Sequence, residues 1–266
     1  MPRNTSQRAS FNYLVLSFSF VTFQYQLKQI LLEEKHLKYY SHHLDRDVDM
    51  LVYGNWGYPI LLFPTTLGKY YQAKDMGLIE SVRGLVDSGK YKIYCVDSID
   101  AESWYAKHLN PEYRVLNHIQ YDKFLSNELV PFIRHECNVE KIGVAGCSFG
   151  GFHAANFAFK HPDKVAYMIS MSGAFDIRSF MDGFYDDNVY FNNPMDYMPN
   201  EQGWKYGHMK IVLGTSEWDI CLDSNVKMSD ILSRKGIDHW LDIRGWEKHD
   251  WPLWNKMFPD YLSRIL

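Results

Sequence analysis

Ser148 stands in the run Gly146-Cys147-Ser148-Phe149-Gly150, with Gly151 directly after it. A small hydroxyl residue among glycines has two readings. It can be a tight turn in which only small residues fit, or it can carry a nucleophile on a sharp strand-to-helix bend. The run matches G-x-S-x-G, and it lies between an apolar stretch, "KIGVAGC", and an Ala/Phe-rich one, "FGGFHAANFAFKH". That is the strand–turn–helix setting in which such a serine is pushed into a strained backbone and exposed above a sheet. The G-x-G-x-x-G pattern of a dinucleotide-binding loop is absent.

A lone serine is a poor nucleophile at neutral pH. It needs a general base and a group that orients the base. In this kind of fold the chain order is serine, then Asp or Glu, then His. After "MKIVLG" comes "TSEWDICLD", where Asp219 lies between Trp218 and Ile220. Apolar neighbours suit a partly buried carboxylate, which requires a donor such as an imidazole N–H. Glu217 and Asp223 compete for the role, and Asp223 better suits a helix cap. After "HWLDIR" comes "GWEKHDWP", and His249 is the histidine of that last strand-to-helix loop, one of eleven in the chain. His239 opens the strand, at its wrong end. A serine attack on an acyl carbon also needs two preplaced N–H donors for the oxyanion. One expectation is the N–H of Phe149; the other is that of Thr66, in "PTTLGKYY" after the apolar run "ILLFP".

These residues need a scaffold that gathers loops at one edge. From about Lys38 onward, short apolar runs alternate with longer helical patterns. Strands are expected at "DVDMLVYG", "ILLFP", "YKIYCVD", "KIGVAGC", "KVAYMIS", "MKIVLG" and "HWLDIR". Helices are expected over 75–89, over 111–136 with Pro111 in its first turn, over 149–161, over 224–236 and over 251–266. Such alternation predicts a mostly parallel sheet covered by helices on both faces. Function then gathers at the carboxyl ends of the strands. "DSIDAESWYAKH" leaves one of those ends. Ser103, Trp104 and Tyr105 there either line a substrate pocket or belong to a packed loop. The long stretch from Gly173 to about Gly207 is either a cap that sets substrate choice or a packed insertion. Asp182, Asp186 and Asp187 within it do not have the spacing of a calcium loop, and no metal is expected.

The 266 residues are 46% hydrophobic and 16% aromatic, with a net charge of −4 and no Lys/Arg run. The chain can bury a core and lacks the basic footprint of a nucleic-acid binder. Its four cysteines form no C-x-x-C pair and read as free, packed thiols of a reducing compartment. The apolar segment "FNYLVLSFSFVTF" follows Arg3 and Arg8. It imitates an export signal but lacks the small-residue cleavage site, and it is short for a membrane span. Two readings stay open for it: an export signal or anchor, or a peripheral or extra segment. No stable membrane span is expected, and a cytoplasmic location is the default reading.

Taken together and in this order, "GCSFGG", "GTSEWD" and "KHDWP" resemble the esterase branch of the α/β-hydrolase superfamily, which includes S-formylglutathione hydrolase (esterase D) and the mycolyltransferases. The resemblance runs from about His36 to Leu266 and leaves residues 1–35 outside as an extension, with 36–266 as one domain. It implies an α/β-hydrolase fold and a serine esterase, free of cofactors, acting on a small-molecule carboxylic ester or thioester. Ser148, Asp219 and His249 match the nucleophile, acid and base. "PTT" stands where many relatives have a His-Gly pair, so Thr66 departs from the pattern. An acyltransferase using the same three residues, or a non-catalytic binding protein on this scaffold, are the alternatives. Acyl and leaving-group identity and oligomeric state are not written in the sequence.

Overall fold

A computed structural model of the chain describes residues 33–265. The N-terminal apolar segment therefore lies outside the described residues, while the expected boundary between residues 35 and 36 lies among them.

Eight strands form one sheet: β1 (Glu34–Ser41), β2 (Arg46–Tyr53), β3 (Tyr58–Phe63), β4 (Tyr91–Val96), β5 (Ile142–Cys147), β6 (Val165–Met171), β7 (Lys210–Trp218) and β8 (Trp240–Lys248). Their spatial order is β1-β2-β4-β3-β5-β6-β7-β8. β1 and β2 form an antiparallel hairpin at one edge, and β2 joins β4 antiparallel. From β3 to β8 every pairing is parallel. β4 and β5 are buried along their whole length, because helices cover both faces of a parallel sheet, and so they read as continuous apolar runs. The fold is the α/β arrangement expected from the alternation.

Five helices of eight residues or more matter for the site. They are α1 (Pro111–Phe124), α2 (Val130–Cys137), α3 (Phe149–Lys160), α4 (Leu222–Arg234) and α5 (Trp251–Ile265). α3 is buried from Phe149 to Phe159. It crosses the middle of the sheet, packing on β5 and β6, and needs no polar face.

Three elements differ from the sequence expectation. β1 adds to the expected strands: "EKHLKYYS" is mostly exposed, of its apolar side chains only Leu37 and Tyr39 turn in against the core, and so weak an alternation becomes a strand through pairing with β2. The expected helix over 75–89 is instead three short helices, Gln72–Asp75, Leu78–Ser81 and Arg83–Asp87. Gly77 interrupts it at φ +79°, a left-handed conformation that cannot continue a right-handed helix. The helix expected over 111–136 is divided by a π-turn, Leu125–Leu129, ahead of α2. Pro131 has no N–H for the carbonyl four residues back and its ring would strike it, and the wider turn relieves both problems.

The approach of α3 to the sheet is set by glycines. A Cβ on Gly146 would lie 2.2 Å from the Gly150 carbonyl oxygen, and one on Gly150 would lie 2.4 Å from that of Pro64. Gly150→Ala must therefore push α3 off the end of β3. We expect it to lower stability by about 1–3 kcal/mol, read by urea unfolding. Gly84→Ala is the control: nothing lies within 4 Å of its added methyl, and the change should be neutral or stabilising by up to about 1 kcal/mol.

Candidate active site

Ser148 occupies the bend between β5 and α3 with φ 56° and ψ −121°. A non-glycine residue there carries strain of about 1–3 kcal/mol. Burial of Phe152, Phe157 and Phe159 on α3 stabilises by about 1.5–3 kcal/mol for each ring, so the packing of the helix outweighs the strain of the bend. The backbone N–H of Ser148 donates to the carbonyl of Met171 at 2.8 Å, holding the bend to the end of β6.

β7 and β8 run further than the sequence suggested. They stay paired to Trp218↔Lys248, across an irregularity near Ser216. Asp219 and His249 are therefore the first residues beyond two adjacent strand ends. His249 Nε2 lies 2.8 Å from Ser148 Oγ. His249 Nδ1 lies 2.7 Å from Asp219 Oδ1. With a carboxylate at Nδ1, that nitrogen carries the proton and Nε2 accepts from the serine hydroxyl. Three side chains distant in sequence thus form one hydrogen-bonded line. Of the competing acids, Glu217 is exposed and Asp223 pairs with Lys227 on the surface of α4. His239 bonds Ser229 Oγ at 2.7 Å and is not part of the line.

Asp219 is 5% exposed. Its Oδ2 accepts from Thr215 Oγ1 at 3.0 Å, and its Oδ1 also accepts the N–H of Cys221 at 2.8 Å. Burial pushes this carboxyl's pKa up, but hydrogen bonds from His249, Ser172 and the Cys221 N–H outweigh it and hold the group below the usual aspartate value. The His249 ring packs edge-on to Trp254 of α5, centroids 5.1 Å apart. Trp254 is in turn fixed by its indole N–H to Ser172 Oγ at 2.8 Å. Thr215, Ser172 and Trp254 support the site and were not foreseen, since a hydroxyl or an indole in an apolar run carries no local sign of such a role.

Asp219, Cys221 and His249 bring an oxygen, a sulfur and a nitrogen within 4.8 Å of one another. Burial pushes the Cys221 thiol up to about 12, so it is protonated at neutral pH and a weak metal ligand. In the long excursion Asp182 pairs with Lys107 and Arg114, and Asp186 caps a short helix through the N–H of Val189.

The N–H groups flanking Thr66 are occupied: that of Thr65 donates to Gln72 Oε1 at 2.9 Å and that of Leu67 to Asp100 Oδ2 at 3.2 Å. The N–H groups of Thr66 and Phe149 have no acceptor among the described residues. Tyr105 is half-buried and its hydroxyl donates to Thr66 Oγ1 at 3.4 Å. Its ring meets Phe149 and Phe180, with centroids 5.8 and 4.9 Å away. Trp104 is different. It is wholly buried with Val115, Phe152, Ile177, Met181 and Val189, so it is part of the floor and offers no face to a ligand. Ser103 is likewise buried, its hydroxyl spent on the carbonyl of Ile99. The excursion is packed through Ile177, Met181, Val189 and Tyr197 and still presents Phe180 beside Tyr105. Buried Arg114 ties it down, donating to the Phe180 carbonyl at 2.8 Å and to Asp182 at 2.6 Å.

A family model described as "Putative esterase" matches residues 41–265. No curated protein matches the sequence. Among solved structures, a ferulic acid esterase superposes with a TM-score of 0.70 at 16% identity, covering 88% of this chain and 99% of the other. S-formylglutathione hydrolase from Staphylococcus aureus gives 0.69 at 16%, covering 88% and 96%. The S-formylglutathione hydrolase from Agrobacterium tumefaciens gives 0.71 at 12%, covering 87% and 94%. At these identities the likeness is one of fold.

The electrostatics of Asp219 make a prediction about stability. A carboxyl whose folded pKa lies below its unfolded value stabilises the fold fully above the unfolded pKa, near 4, and loses that contribution as pH falls through the folded one. The stability difference between wild type and Asp219→Asn should therefore shift against the wild type as pH drops below about 4. Urea titrations of both proteins across that range check it; parallel curves throughout would contradict it.

Proposed function

The chain belongs to the "Putative esterase" family, and from that premise we propose that it is a serine hydrolase cleaving a carboxylic ester, or a thioester, through an acyl-enzyme on Ser148. The observation that carries the reading is the unbroken line Ser148–His249–Asp219, with spacings of 2.8 and 2.7 Å.

The chemistry follows from the groups present. Ser148 Oγ attacks the acyl carbon as its proton passes to His249 Nε2. Asp219 holds the Nδ1–H tautomer and stabilises the imidazolium that forms. The unpartnered N–H groups of Phe149 and Thr66 receive the oxyanion of the tetrahedral intermediate. His249 then gives its proton to the leaving alkoxide or thiolate, the carbonyl re-forms, and the acyl group stays on Ser148. A water deprotonated by His249 attacks next and releases the acid, with Ser148 recovering its proton. Every proton is returned and no cofactor is called for. Tyr105, with Phe180 beside it, lines the acyl or leaving-group side, which suits an apolar or planar group. Trp104 supports that wall from below. The domain is proposed to cover residues 36–266 together with Glu34 and Lys35, which belong to β1. No helix among the described residues is long and apolar enough to cross a membrane.

Hydrolysis of p-nitrophenyl acetate and labelling by a fluorophosphonate probe test the reading. Ser148→Ala should lose labelling entirely and lower kcat by about 10⁴-fold or more, and Asp219→Asn should lower it by about 10⁴-fold through the wrong imidazole tautomer. A Ser148→Ala protein that labels and turns over like wild type would remove the serine from the mechanism.

A further inference from the structure

A second carboxylate–imidazole pair joins α3 to the loop after β4, and the line Ser148–His249–Asp219 does not use it. Asp100 follows β4 and is wholly buried, while His153 sits on α3, five residues after Ser148, and is 2% exposed. His153 Nε2 and Asp100 Oδ1 are 2.8 Å apart. A carboxylate removed from water must have its oxygens claimed by donors. Here the second oxygen accepts the backbone N–H of Leu67 at 3.2 Å.

Leu67 is the residue after Thr66 and has a left-handed backbone at φ 56°, which a leucine adopts only when its surroundings enforce it. With Thr65 N–H held by Gln72 and Leu67 N–H held by Asp100, the peptide between them is gripped on both sides. That peptide carries the free N–H of Thr66. Two further bonds fasten the same loop to the end of β4: Tyr70 N–H to Asp97 Oδ1 at 2.7 Å, and Ser98 Oγ to the Gly68 carbonyl at 3.2 Å. The other half of the pair faces α3. The His153 ring stands edge-on to Phe149, centroids 5.1 Å apart, and stacks near Phe63 at 5.8 Å.

We propose that Asp100 and His153 are positioning residues for oxyanion stabilisation: the pair clamps the Leu67 peptide to the helix that bears Phe149, and so sets the separation of the Thr66 and Phe149 N–H groups. This rests on the reading of those two groups as the oxyanion donors. The pair touches no reacting atom. Its effect belongs to the transition state, because a ground-state carbonyl asks less of the two donors than an oxyanion does.

The test is steady-state hydrolysis of p-nitrophenyl acetate, together with inhibition by an aliphatic trifluoromethyl ketone, whose hemiketal carries the same oxyanion. Asp100→Leu keeps the branched outline and deletes both acceptors. It should lower kcat by about tenfold to a hundredfold, short of or equal to the loss of a whole donor, with KM nearly unchanged. The ketone should weaken by the same factor as kcat/KM. Asp100→Asn keeps an acceptor for Leu67 and should recover kcat to within about fivefold of wild type. His153→Phe keeps the ring packing and removes the donor to Asp100; it should show the same loss confined to kcat, and it carries the test if Asp100→Leu does not fold. Folded variants with wild-type kcat and ketone affinity, or a loss that falls on KM alone, would overturn the proposal. Ser148→Ala, run alongside, separates the two levels. An inactive Ser148→Ala with unaffected Asp100 and His153 variants overturns only the positioning role, whereas an active Ser148→Ala overturns the site reading beneath it.

Discussion

The steric limit on the bend at Ser148 governs the rest of the molecule. To raise a hydroxyl above the sheet, β5 must turn into α3 within one residue, and that residue must leave the ordinary backbone regions. The turn closes only because Gly146 and Gly150 lack side chains where their backbones nearly touch. In return, α3 lies across the centre of the sheet with no solvent face, so it can be built from Ala, Phe and Gly. The bend, the composition of the helix and the buried apolar run of β5 are one steric solution.

The second requirement is convergence. β7 and β8 are neighbours in the sheet and end level with each other, so the residues that follow them meet without long loops. This arrangement explains why a carboxylate can be buried here. Asp219 loses water but gains an imidazole, a threonine hydroxyl and a backbone N–H. The hydrogen bonds more than offset desolvation and hold the carboxyl below the usual aspartate value. The closing helix contributes by packing Trp254 against the imidazole, so the orientation of His249 depends on core packing as well as on hydrogen bonds.

The loops at the same edge show how a wall is made from segments that carry no motif. Tyr105 comes from the loop after β4 and Phe180 from the long excursion, and both meet Phe149, the residue after Ser148. Arg114, buried on α1, binds the excursion through a backbone carbonyl and a carboxylate. The excursion is thus packed onto the domain and sets Phe180 beside Tyr105.

The parallel order of the sheet from β3 onward, the strand-to-helix bend at Ser148, and the loops bearing Asp219 and His249 were legible in the residue pattern. Each depends on local rules: apolar runs of strand length, glycines where backbones touch, and chain order along a repeating strand–helix unit. What local pattern could not decide was partnership. Trp104 and Tyr105 are adjacent aromatics in one loop, yet one is wholly buried and the other only half-buried, because the neighbours that cover Trp104 come from α1, α3 and the excursion. β1 is a strand only by virtue of β2. Thr215, Asp100 and His153 gain meaning only from atoms that sequence separation hides. A sequence specifies backbone preference and polarity residue by residue, but burial and hydrogen-bond pairing belong to the packed whole, and only the tertiary structure decided them.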